Sequence, residues 1–166
     1  MSLTYEDILE AMAQNLGFDM SPFKDQKGFS IVYKNDFVVT IEPCSEREGF
    51  YHIYSPVCDI PPEPQDREDL YTMLMRGHLF GYASHNNYFG IDRKRGKVFL
   101  FKLVNVAGMK DVDVLRQKIL RFLAAEEFWR EPLKAPRKYL DAAEKMNATD
   151  IDPTDPKFIE EFKSYV

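Results

Sequence analysis

The sequence predicts an α+β domain, a five-stranded twisted antiparallel sheet with helices packed on it in the order α-βββ-α-ββ-α, followed by a helical C-terminal extension. Three observations carry this prediction. Two β-branched and aromatic runs, 29–34 and 37–42, are joined by the turn pair Asn35-Asp36, which reads as a hairpin. The intervals between the first three strands are too short for parallel crossovers. Apolar residues at helical spacing stand before, between and after the two groups of strands.

The first helix runs from about Thr4 to Leu16. Thr4 suits the N-cap, Glu6 and Asp7 suit the positive first turn, and Gly17 is a natural stop. Tyr5, Ile8, Leu9, Met12 and Leu16 make one apolar stripe. Strands follow at 29–34, 37–42 and 50–55. Phe37, Val39 and Ile41 share one face of the second strand, and Val38, Thr40 and Glu42 share the other. Pro61, Pro62 and Pro64 mark a loop. A second helix is expected at about 66–76, with Leu70, Met73 and Leu74 on one side. Runs 88–92 and 98–104 read as a hairpin across Arg93–Lys97. Asp111 caps a third helix reaching about Arg130, with Leu115, Ile119, Phe122 and Leu123 at helical spacing.

Beyond Pro132 the character changes. Four prolines fall between 132 and the end, and short helices are expected at 138–146 and 156–165. The chain therefore divides into a core, 1–131, and an extension, 132–166. Tyr139, Leu140, Met146, Phe158, Ile159, Phe162 and Tyr165 are too apolar for a solvated end, so the extension is expected to dock.

Composition narrows the function. The 166 residues are 45% hydrophobic, 14% aromatic and 30% charged, with net charge −5. An acidic chain lacks the basic face that nucleic acid or an anionic membrane requires. Cys44 and Cys58 are too few for a disulfide framework, and no apolar run approaches the roughly 20 residues of a membrane span. The first residues show neither a basic nor an apolar leader region. A cytoplasmic chain is expected, for which the sequon at Asn147 has no meaning.

No catalytic or metal site is expected. His52 lies between Cys44 and Cys58, but the spacings of 8 and 6 are not those of paired zinc ligands. Ser84-His85 lacks a nucleophile elbow. Asp150, Asp152, Thr154 and Glu161 outline a calcium loop, but Asp155 stands where the turn needs glycine. Arg93, Lys94, Arg95 and Lys97 are the most basic cluster and read as solvated charges at a hairpin tip. A well-patterned domain with abundant apolar surface and no visible chemistry points to protein binding.

From Leu70 onward the chain resembles the class I type III secretion chaperones, the Tir-chaperone family. The resemblance rests on Leu70-Tyr71-Thr72-Met73-Leu74-Met75, then His78-Leu79-Phe80-Gly81, then Phe89-Gly90-Ile91-Asp92 with Gly96 and Val98-Phe99-Leu100. Leu115, Ile119, Phe122, Glu127 and Trp129-Arg130 follow at the family's spacing. Leu16-Gly17 and Ile41-Glu42 fit at the N-terminal side, so the likeness covers about 4–131. The extension exceeds the usual family length, and His78 stands where members often carry Asn.

The resemblance implies a bacterial cytoplasmic homodimer without cofactor or ATP hydrolysis. It would bind a segment near the N-terminus of a secreted effector, keep it extended and soluble, and present it for export. A twofold dimer contact is then expected at Leu70, Met73, Leu74 and Gly77. Effector contacts are expected at apolar residues in excess of the core: Phe29, Ile31, Val32, Val38, Phe50 and Tyr54. Two alternatives stand beside this reading. One is a chaperone-like binding domain unconnected with secretion, and the other is a small hydrolase or metal enzyme using His52, His78 or His85.

Overall fold

The structure is a computed structural model that describes residues 3–34, 37–79 and 84–147, with 143–147 described by their helical backbone alone. Helix α1, Tyr5–Leu16, opens on a capping box. The Asp7 amide donates to the Thr4 hydroxyl, and the Thr4 amide donates to the Asp7 carboxylate at 2.6 Å. Two of the orphan donors at the helix start are thereby satisfied. Gly17 ends the helix in the left-handed region, φ 70°, which a residue without Cβ adopts freely.

Strands β1 (Phe29–Tyr33), β2 (Phe37–Pro43) and β3 (Phe50–Asp59) are followed by α2 (Pro64–His78). Then come β4 (Tyr88–Asp92), β5 (Lys97–Asn105), α3 (Val112–Arg130) and α4 (Pro136–Asn147), with a 3-10 turn at Pro132–Lys134. The five strands form one sheet in the order β1-β2-β3-β5-β4, and every neighbouring pair is antiparallel. Strands β1 and β4 are therefore its edges.

Two elements run longer than the sequence suggests. Strand β3 continues to Asp59 because a bulge between Pro56 and Cys58 absorbs the proline without ending the pairing with β5. Helix α2 starts at Pro64, a residue suited to the first helical position, and passes through Gly77.

The core lies on one face of the sheet. Ile8, Leu9 and Met12 of α1 meet Phe29, Ile31, Val39, Ile41, Ile53 and Leu100 of the sheet and Leu115, Ile119 and Phe122 of α3. A second cluster joins Leu70, Met73 and Leu74 of α2 to Val98, Trp129, Leu133 and Leu140. Leu140 is 5% exposed, and Arg137 reaches both Asp69 of α2 at 3.4 Å and Asp141 at 3.0 Å. The first part of the extension thus completes the core over α2. The calcium-like outline at 150–161, the helix expected at 156–165 and the side chains of Met146, Phe158, Ile159, Phe162 and Tyr165 lie outside the described residues.

A candidate protein-binding face

In antiparallel pairs, residues directly opposite one another point to the same side of the sheet. The register therefore sorts every strand residue into a covered face and an uncovered one. On the covered face, Phe29, Ile41, Ile53 and Lys102 form one continuous row. The two core clusters draw their regular strand positions from this face.

The opposite face carries a row that crosses all five strands: Ser30, Thr40, Tyr54, Phe101 and Tyr88. Beside it run Val32 against Val38, and Pro56 against Phe99 and Gly90. On the other flank Glu42 faces His52, which faces Leu103. Tyr88 and Phe101 rings lie 5.5 Å apart, and Tyr54 meets Phe99 edge-on at 6.0 Å. A Cβ at Gly90 would stand 3.2 Å from the Phe101 ring, so this glycine leaves room for the ring to lie across β4.

Four polar groups on this face pair with one another. The Ser30 and Thr40 hydroxyls are 2.8 Å apart, and the Tyr54 hydroxyl donates to Glu42 at 3.2 Å. Burial and the Glu42 carboxylate hold the Tyr54 hydroxyl above its ordinary pKa, so it stays a neutral donor. Val32 is 66% and Val38 37% exposed. The face offers aromatic rings, aliphatic side chains and, along β1, a strand edge whose outer backbone groups pair with no other strand among the described residues, a surface suited to another polypeptide.

The expected effector contacts divide by this geometry. Val32, Val38 and Tyr54 lie on the uncovered face, and the half-buried Phe50 extends the same alternation. Phe29 and Ile31 do not: they are 4% and 8% exposed, inside the core beneath α1. The alternation that exposes Ser30 and Val32 turns their odd-numbered neighbours inward.

The expected dimer contacts are also taken up within the chain. Leu70, Met73 and Leu74 are 1–5% exposed, covered by Trp129, Leu133 and Leu140. Gly77 does permit a close approach, but the group that approaches is the Trp129 ring, 2.1 Å from where a Cβ would stand. The α2 side left exposed carries Met75, and Leu79 follows the helix, at 71% and 62%. His78 packs on Tyr88 at 5.5 Å, so the end of α2 adjoins the β4 edge.

Tyr88, Phe99, Phe101 and Leu103 are site residues that the sequence reading did not single out. A signal existed, because β5 is apolar on both alternations, as befits a strand covered twice. Its one interior charge, Lys102, points to the wrong side as the solvent face.

The histidines stand apart. His52 is on the uncovered face, His78 ends α2, and His85 lies in a turn, where burial and the cations Arg121 and Lys102 lower its pKa. Cys44 and Cys58 are free thiols, and burial, with Asp59, pushes Cys58 up to about 11. Among the described residues no three His, Cys, Asp or Glu side chains stand close enough to hold a metal ion. No described helix is long and apolar enough to cross a membrane.

The family model of the Tir chaperone protein (CesT) family matches residues 7–130. No curated protein matches the sequence. Among solved structures, the ExsC–ExsE complex is similar at 22% identity and TM-score 0.57, over 80% of this chain and 97% of that one. The HopA1–SchA chaperone–effector complex is similar at 18% identity and TM-score 0.55, over 76% and 93%. The ExoU–SpcU heterodimer from the type III secretion system of Pseudomonas aeruginosa follows at 15% and 0.54, over 75% and 92%. These likenesses are of fold.

Proposed function

The chain belongs to the Tir chaperone protein (CesT) family, and from that premise we propose that it is a type III secretion chaperone. It binds the N-terminal region of a secreted effector in the bacterial cytoplasm, as a homodimer and without ATP hydrolysis. The observation that carries this reading is the aromatic and aliphatic face of the sheet, opposite the one that α1 and α3 cover. An unfolded segment exposes apolar side chains and unpaired backbone, and this face with the β1 edge covers both. Ordering the segment costs several kcal/mol, so a long wrapped surface is needed. The structures similar to this chain include a chaperone–effector complex, which supports the same reading.

The twofold contact falls to residues still exposed at the β4 side, Met75, Leu79 and Tyr88. Val32, Val38, Phe50 and Tyr54 then serve the effector. The test is co-purification from the native cell with mass spectrometry of the bound polypeptide, together with light scattering. A secreted protein captured through its N-terminal region, and a mass twice 19.4 kDa, are expected. Val32→Asp with Val38→Asp should abolish capture while melting temperature and mass stay unchanged. Undiminished capture by that variant, or a single-chain mass at micromolar concentration, overturns the assignment.

A further inference from the structure

A cavity of about 460 Å³ lies where the end of β3, the start of α2 and the β4–β5 turn meet. Its walls are Ile60, Pro61, Pro62, Tyr71 and two arginines, Arg67 and Arg93. The Ile60 amide donates to the Gly96 carbonyl at 2.8 Å and closes one end. No residue of the uncovered sheet face lines it.

The charge of this cavity is set by which acids are already engaged. Asp59 is paired with Lys97 at 2.5 Å. Asp92 is paired with Arg95 at 3.0 Å and also accepts the Arg95 amide. Glu63 stands one turn before Arg67 but makes no ion pair with it; only its carbonyl accepts the Arg67 amide, at 3.1 Å. Among the described residues neither Arg67 nor Arg93 has a carboxylate partner. Two guanidiniums without an ion-pair partner among the described residues therefore flank one cavity in a chain of net charge −5.

We propose that this cavity binds an acidic segment of a partner polypeptide. Arg67 and Arg93 clasp a carboxylate, and Ile60, Tyr71 and the two prolines take an adjoining apolar side chain. A planar guanidinium presents paired donors matched to a carboxylate, and burying its apolar neighbour gives the contact a second anchor. The volume is that of many waters, at about 30 Å³ each, and suits side chains better than a lone inorganic ion. The site is independent of the sheet face assigned to the effector, so either assignment can fail without the other.

The experiment is fluorescence anisotropy on the full chain with a short labelled peptide of alternating Glu and Leu. The same peptide with Gln for Glu is the control. Binding of the Glu peptide is expected to weaken with added salt and to fall about tenfold in the Arg67→Gln, Arg93→Gln variant. The Arg67→Lys, Arg93→Lys variant, which keeps the charge but not the fork, should fall between. Equal binding of the Gln peptide, or undiminished binding by the double Gln variant at an unchanged melting temperature, overturns the proposal. So does displacement by inorganic phosphate as readily as by unlabelled peptide at equal ionic strength, which assigns the cavity to a free anion. A halved light-scattering mass of the double Gln variant would instead assign it to a second copy of the chain.

Discussion

Lys102 donates from its ammonium to the side-chain oxygen of Asn87 at 3.0 Å, from the covered face of β5. The same ammonium reaches the Asn86 carbonyl at 3.2 Å. Asn87 in turn donates to the Ser84 carbonyl at 2.7 Å. This clasp holds a turn in which His85 and Asn86 both adopt left-handed backbone, φ 51° and 58°, a conformation unfavourable by roughly 1 kcal/mol per residue. Burial, with Lys118 and Arg121 nearby, lowers the pKa of Lys102, so its charge is held at a cost.

Replacing that lysine sets two effects against each other. Lys102→Met removes a desolvated charge but orphans the buried Asn87 oxygen and releases the turn. An orphaned buried acceptor costs about 1–3 kcal/mol, and here the turn strain adds to it. The variant is expected to melt several degrees lower, with faster amide exchange at 84–87. A higher melting temperature would show that desolvation outweighs the clasp.

Gly77 and Trp129 make a second sharp case. Glycine inside a helix is ordinarily about 1 kcal/mol worse than alanine. Here a Cβ would stand 2.1 and 2.3 Å from the Trp129 ring, which is 4% exposed and packed edge-on against Phe89 at 5.0 Å. The ring cannot retreat, so Gly77→Ala should destabilise by about 2 kcal/mol, or about 4–8 °C in melting temperature. Thermal denaturation followed by tryptophan fluorescence reads both the stability and the displaced ring.

Glu126 predicts a pH dependence. It is 3% exposed beneath β3, accepts a hydrogen bond from the Ser55 hydroxyl, and keeps its other oxygen buried with no partner among the described residues. Burial pushes its carboxyl up to about 7, against the opposing Ser55 bond. The folded chain therefore holds a proton that the unfolded chain releases at the ordinary carboxyl value of 4.5. Stability is expected to fall as pH rises from 4.5 through 7, by up to about 3 kcal/mol. Glu126→Gln keeps a neutral hydrogen-bonding group and should flatten that slope and stabilise the chain at pH 8. Urea titrations at pH 5 and pH 8 check it, and parallel slopes in the two proteins would refute it.

Local chemistry written in the sequence sufficed for the elements. Thr4, Gly17 and Asp111 mark helix ends because capping depends on neighbours a few residues away. The two-residue alternation in 37–42 sorted Val39 from Val38 for the same reason. The acidic charge and the family pattern over about 4–131 were legible too, and with them the chaperone class.

Which side of each element is covered was decided only by tertiary structure. Period two groups Phe99 with Phe101 and Leu103, and Val98 with Leu100 and Lys102, but it does not say which group meets the helices. That choice is made by α1 and α3, distant in sequence, and it puts the one charged residue inside because Asn87 and the turn carbonyls await its ammonium. Leu70, Met73 and Leu74 formed a plain stripe, yet its partner was settled by Leu133 and Leu140 arriving from the extension. A stripe shows that burial is needed. Only long-range packing names the surface that supplies it.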